Sequence, residues 1–269
     1  DAIEWRVAVQ ARGSLPPLLL GDRAMERLVG EVEAIVAEVG GTIRPTDRVR
    51  VRRTIGTGPH ATEVDLELDV VDDAIVRVHS TRLQARHLIE PWVALALLHL
   101  ERPDTPWTAR IGGLIERSER KVERSFPTAR ILSLRPGAAE GVLEHVLALR
   151  ALARSMPIAL FPRATTRLAI GSIRVGARDA VGWKIDQPDH LDSSFENQLE
   201  SDLRRGATGW FFGTATADTL ALETCTDAER AVLGRFADVR GGPALAYARH
   251  LHAAFTDTAA IAKSIGGAG

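Results

Sequence analysis

Between Arg48 and Val70 the chain alternates with a period of two. Arg48, Arg50 and Arg52 flank Val49 and Val51. Beyond a loop carrying Gly56, Gly58 and Pro59, the acids Glu63, Asp65, Glu67 and Asp69 interleave with Val64, Leu66, Leu68 and Val70. Successive side chains of a strand point to opposite faces, so the pattern predicts two strands with one apolar and one charged face. Folded as a hairpin about Gly58, arginines fall opposite carboxylates: Arg48 with Glu67, Arg50 with Asp65 and Arg52 with Glu63. Asp72-Asp73 marks a further turn, and Ala74 to His79 returns as a third strand. The segment reads as a β-meander.

Helical periodicity brackets this segment. Met25, Leu28, Val29, Val32, Ile35, Val36 and Val39 recur at helical spacing until Gly40-Gly41 stops them. A long apolar helix is expected near Gln84 to Leu100, with Pro91 in its first turns, where a missing N–H is tolerated. Pro103 and Pro106 end it. Trp107 to Ile115 suggests a strand, and Ala138 to Ala153 an amphipathic helix with Val142, Leu143, Val146, Leu147 and Leu149 as its stripe. Met156 to Pro162 reads as an extended, linker-like segment, since each proline biases its predecessor away from helix. Helices are expected at about Phe195–Arg205, Asp227–Phe236 and Ala244–Phe255. A short strand at residues 5–9, a turn-rich link at Arg12 to Pro17 and a frayed glycine-rich tail complete the reading. The class is α+β, with a β-meander and helix core over 1–160 and a helical portion over 161–269 packed on the same domain.

Composition narrows the function classes. The net charge is −1, so no global basic signal points to nucleic acid, and any such contact must be local. A single cysteine, Cys225, excludes a disulfide framework and a multi-cysteine zinc site, and fits a reducing, cytoplasmic setting. The longest apolar run, Trp92 to Leu98, is far short of a membrane span. The abrupt start at Asp1 with a strand-like run suggests a piece cut from a longer chain.

Catalytic motifs are missing from the sequence: it has no phosphate-binding Gly-x-x-x-x-Gly-Lys loop and no Gly-x-Ser-x-Gly elbow. The eight histidines are scattered; His250 and His252 fall on different helix faces, with no third zinc ligand in view. The acids from Glu63 to Asp69 resemble a two-metal cluster, but the facing arginine strand accounts for them as a salt-bridged sheet face. Arg44, Arg48, Arg50, Arg52 and Arg53 are candidate DNA contacts that could track a phosphate backbone, against which the same cross-strand pairing counts. Trp92, Trp107, Trp183 and Trp210 could stack bases, yet Trp92 and Trp210 read as core anchors.

Four segments, in order, resemble the C-terminal region of exodeoxyribonuclease V gamma chains, the RecC type. They are Ala11-Arg12-Gly13-Ser14-Leu15-Pro16; Val76-Arg77-Val78-His79 running through His87-Leu88 to Trp92-Val93-Ala94-Leu95-Ala96-Leu97; Met156 to Pro162, similar to the family's Pro-Leu-Pro-Leu-Pro; and Ala177 to Gly213, closing in Trp210-Phe211-Phe212-Gly213. The third departs from the family at Ala159 and Phe161-Pro162.

The resemblance implies a degenerate fold of the PD-(D/E)xK nuclease type (α/β, nuclease-like) that serves architecture. It implies a non-catalytic scaffold in a DNA-break repair and recombination complex, contacting the beta and alpha subunits and helping part the duplex, without cofactor or metal. In such nucleases the strand after the metal-binding Asp ends in acid-x-Lys. By position the matching pair here is Arg77 and His79, with Asp65 or Asp69 at the first carboxylate position. Asp72 with Glu90 is the other arrangement in which acids could meet. The alternative function is an active metal-dependent nuclease of the same fold.

Overall fold

The computed structural model describes residues 19–56, 61–119, 122–175, 181–204, 212 and 215–263. The strand expected at 5–9, the link that follows it, Trp210 and the tail lie outside them. Helix α1 (Leu19–Glu38) follows the expected stripe, with Met25, Ile35 and Val39 buried. It ends at Gly40 and Gly41, whose φ of 106° and 78° suit residues without a Cβ.

Strands β1 (Asp47–Ile55) and β2 (Thr62–Val70) form the expected antiparallel hairpin. Val49, Val51 and Ile55 are buried, while Arg48, Arg50, Arg52 and Arg53 stay exposed. Its register differs by two residues from the sequence expectation: Arg48 faces Asp69, Arg50 faces Glu67 and Arg52 faces Asp65. A slip of two keeps every side chain on its own face, so alternation alone cannot detect it. The ladder is fixed at its open end, away from the connecting loop, where Thr46 N–H donates to Val70 O (2.8 Å) and Asp72 N–H to Thr46 Oγ1 (2.7 Å).

The meander is a second correction. Strand β3 (Ala74–Arg82) does not extend the β1–β2 ladder beyond a single Val71–Ala74 bridge. Asp72, at φ 54°, turns the chain out of the hairpin. β3 joins a separate four-stranded sheet in the order β3-β4-β5-β8, made with β4 (Thr108–Glu119), β5 (Val122–Leu134) and β8 (Ala259–Lys263). β3 and β4 are parallel; the other neighbours are antiparallel. The parallel pair requires a crossover, supplied by helix α2 (Arg86–Glu101).

Helix α2 is the centre of the core. Leu88, Pro91, Trp92 and Ala94 to Leu98 are all buried. The sheet covers one side of α2; the hairpin and α3 (Ala139–Ser155) pack on the rest. Arg53–Glu101 (3.3 Å) and Arg102–Asp47 (3.2 Å) tether the hairpin to the end of α2. Helix α1 covers the opposite face of the sheet. There a Cβ on Gly112 would lie 2.7 Å from both Ile35 Cγ2 and Val39 Cγ1, so only glycine allows that approach.

The remaining described elements are α4 (Ala164–Ile170), the hairpin β6 (Ser172–Val175) and β7 (Val181–Lys184), α5 (Ser193–Leu203), α6 (Ala217–Leu222), α7 (Asp227–Leu233) and α8 (Gly242–Thr258). A second cluster of buried side chains forms among them, around Phe161, Phe195, Leu220, Leu233 and Tyr247. Met156 to Pro162 is not a linker in the sense expected. The backbone is extended, but Ala159 and Phe161 are buried, and Phe161 packs edge-on to Phe195 and Phe212. Among the described residues no helix is long and apolar enough to cross a membrane.

Candidate functional site

The arginine strand is largely neutralised by its neighbour. Arg50 donates Nε and Nη2 to the two carboxylate oxygens of Asp65, both at 2.9 Å. Arg48 Nε reaches Asp69 Oδ1 at 2.8 Å, with Glu67 at 4.0 Å. Arg53 pairs with Glu101. Arg52 adds to the positive field at Asp65. The Arg50 hydrogen bond holds the Asp65 carboxyl below its ordinary range, and the same contact raises the Arg50 guanidinium. Arg44 is exposed in the approach to β1. Arg48, Arg50 and Arg52 lie with Asp65, Glu67 and Asp69 on the solvent face of a two-stranded sheet, so Asp65 and Asp69 are engaged with arginines at the surface.

Arg77 and His79 sit elsewhere, on β3 under the first turns of α2. Arg77 grips Glu90 of α2 with Nε to Oε2 at 3.0 Å and Nη2 to Oε1 at 2.7 Å. Glu90 is therefore committed to a guanidinium rather than to Asp72. His79 stacks on His87 of α2, with ring centroids 4.1 Å apart and planes at 14°. Burial lowers both imidazoles from their ordinary value, His87 to about 4, and nearby Arg77 and Arg86 oppose protonation of His79. His79 Nε2 is buried without a hydrogen-bond partner. At neutral pH this end of the sheet presents a guanidinium and two neutral rings.

Elsewhere the histidines form a second stack, His145 against His250, at 3.8 Å. His252 Nδ1 lies 2.9 Å from Ala169 O, on another face of α8 than the stack. Among the described residues no group of three or more His, Cys, Asp or Glu side chains is arranged to hold a metal ion. Trp92 is fully buried and donates to Thr258 Oγ1 (3.1 Å); Trp107 is buried and donates to Arg102 O (3.1 Å). Neither offers a ring face to a base. Trp183 is half-buried and donates to Ile170 O.

One residue escaped the reading of the sequence. Arg130, on β5, is 3% exposed, and its Nε and Nη2 are buried without partners. Its Nη1 donates to Ala129 O (2.6 Å) and Thr128 Oγ1 (3.1 Å). Register places it in one row with Arg77: Arg77 neighbours Ile111, and Ile111 neighbours Arg130. Gly112 faces α1, so this row faces α2. The sequence carried one signal, an arginine flanked by Ala129, Ile131 and Leu132 in an apolar stretch.

A comparison with protein families matches residues 2–171, well over half of the 269, to the model described as the RecC C-terminal domain. That span runs through α4 and ends before the segment from Ala177 to Gly213. No curated protein matches the chain.

Proposed function

Because the chain belongs to the RecC C-terminal domain family, we propose that it works as a non-catalytic scaffold and DNA-handling region of an exodeoxyribonuclease V helicase–nuclease. In this reading it acts in the cytoplasm, in double-strand-break repair and recombination. It contacts the beta and alpha subunits and helps part the incoming duplex. Residues 1–160 act as a degenerate nuclease core, and 161–269 as a helical portion packed on it. The element order α1-β1-β2-β3-α2-β4, with a helical crossover between parallel strands, supports the nuclease-like assignment.

The observation that carries the proposal is the Arg77 fork on Glu90. A nuclease of this type needs an acid at the position of Arg77 to complete its metal site. Here a fixed cation stands there and occupies the nearby carboxylate. A guanidinium repels a divalent ion, and at low effective dielectric that repulsion amounts to several kcal/mol. Burial lowers the His79 imidazole further from its ordinary value, so at neutral pH the ring is uncharged and lacks the standing charge of lysine. Asp65 and Asp69 are tied to Arg50 and Arg48. Mg²⁺ needs near-octahedral oxygen ligands, which one carboxylate does not provide.

Two experiments test the reading. The gamma chain carrying this region should be retained with its beta and alpha partners in a pull-down, and clean separation of the region from both would count against it. The purified chain, incubated with linear single- and double-stranded DNA and Mg²⁺ or Mn²⁺, should leave the DNA intact. Cleavage that disappears in Asp65→Ala or Asp69→Ala would establish the active nuclease instead.

A further inference from the structure

We propose that the outer flank of α1, carrying Glu26, Val29, Gly30, Glu33 and Val36, docks a basic amphipathic helix of a partner subunit. This rests on the scaffold reading above and assigns one of its contacts to named residues. The flank is set by what α1 does with its other side. Ile35 and Val39 press on the sheet at Gly112, and Met25 is also buried. Val29 stands about 120° round the helix from Ile35 and is 38% exposed. Val36, two turns beyond Val29, is half-buried. The apolar arc of α1 is therefore wider than the sheet beneath it, and its edge reaches solvent.

Charge and shape on that edge point to one kind of occupant. Glu26, Val29, Glu33 and Val36 follow one another at spacings of three, four and three, so they form one continuous row. The row is about 15 Å long, enough to seat a crossing helix. Both glutamates are exposed. Arg23 and Arg27 lie further round the helix, and Arg27 is paired with Glu31 at 3.0 Å. An apolar edge bordered by two acids is complemented by apolar side chains flanked by lysine or arginine. It repels a phosphate backbone. It also disfavours a second copy, since a twofold contact sets the same acids against each other. Residues 1–18 carry two acids, Asp1 and Glu4, and two bases, Arg6 and Arg12, so they bring no net charge to complement it.

Gly30 is the independent observation. It is exposed inside a helix of 20 residues. A Cβ there would meet nothing within 4 Å among the described residues. Glycine is the least favourable residue in a helix interior after proline, because it has the most backbone freedom to lose. Neither the packing of this fold nor helix propensity calls for it. With Ala37, also exposed and two turns on, it leaves the flank without bulk beside Glu26 and Glu33. A partner helix can approach closely there and bring its cations onto the two acids.

The test uses the full gamma chain and purified beta and alpha subunits, with assembly titrated by interferometry at 0.1 M and 0.5 M salt. Gly30→Gln should raise the thermal midpoint of the gamma chain yet weaken assembly about tenfold, because a side chain now fills the approach. Glu26→Gln combined with Glu33→Gln should weaken assembly about tenfold at 0.1 M salt and less at 0.5 M. Glu31→Gln, further round the helix, should leave it unchanged. A photo-crosslinking residue in place of Val29 should capture a helix rich in Lys and Arg in the beta or alpha subunit. If the wild-type chain fails to assemble with either subunit, the scaffold reading falls and the site with it. If Gly30→Gln and the double glutamine variant assemble as the wild type does, the scaffold reading stands and this surface is wrong. A Gly30→Gln chain that is less stable and assembles normally would assign the glycine to the fold and overturn the proposal. Crosslinks to residues 1–18, or to a second gamma chain, would give the flank another occupant and overturn it too.

Discussion

Arg77 and Glu90 are joined by two parallel N–H···O contacts, 3.0 and 2.7 Å, linking β3 to the helix that crosses over it. Glu90 is the more exposed partner, at 59% against 31%, so solvent screens much of the attraction. The pair should therefore matter for geometry more than for stability. Arg77→Ala and Glu90→Ala should each cost about 0.5–1 kcal/mol, with a coupling of the same order in a double-mutant cycle followed by urea unfolding. A coupling near zero would show that the fork does not persist in solution.

The hairpin carries its own prediction. Arg50 faces Glu67 along the ladder but hydrogen-bonds Asp65, its diagonal neighbour. Reversal of Arg50 to Glu should lower the thermal midpoint slightly, and more at low salt than at 0.5 M. Asp65→Arg should rescue Arg50→Glu better than Glu67→Arg does. Equal rescue by both would show that the bidentate contact has no preference over the direct opposite pair.

The parts of the fold that could be read from the sequence were those whose pattern depends only on local burial. β1 and β2 alternate because one face packs on α2 and the other meets water. Even so, their register escaped by two residues, since turn geometry and not periodicity sets it. β5 is central in the sheet, covered on both faces along Thr128 to Leu132, so Arg130 and Thr128 break any alternation without becoming exposed. β8 is five residues directly after a helix, and only its partner β5 makes it a strand. The same holds for the site. Arg77 and His79 could be placed by their position on β3, whereas Glu90, His87 and Arg130 join them only through the crossover and the row across the sheet. That is tertiary information which no spacing along the chain contains.

Trp92 tests the central helix. Its ring is fully buried against Phe255, centroids 5.5 Å apart, and its N–H donates to Thr258 at the junction of α8 and β8. Trp92→Ala removes a large side chain between elements far apart in sequence and should cost about 3–5 kcal/mol in chemical unfolding. Thr258→Val keeps the volume and removes the hydroxyl, which accepts from Trp92 and donates to Ala254 O, and should cost about 1–3 kcal/mol because the indole N–H is then buried unpaired. A Trp92→Ala loss below that of Thr258→Val would show that α2 is not the centre of the core.

The stacked pair His145–His250 makes stability depend on pH. The two rings join α3 to α8, with Phe236 packed edge-on against His250, and both Nε2 atoms are buried without partners. Burial lowers His145 to about 4, and burial together with the neighbouring His145 lowers His250 to about 3. In the unfolded chain both protonate near the ordinary value of 6.5. Between that value and the folded ones the unfolded state binds more protons, so stability rises with pH across the window. The contribution is fully present above about pH 6.5, declines as the pH falls below it, and is exhausted below the folded values. Within the window each such group changes the folding constant by up to about tenfold per pH unit. Denaturant unfolding at pH 7.5, 6, 5 and 4 should show a falling midpoint well before the carboxylates titrate. His250→Leu, which removes one titrating ring, should flatten that fall, with a residual slope from His79, His87 and His145. A pH profile of the variant that parallels the wild type would mean that the stack is protonated in the folded state and that burial does not control it.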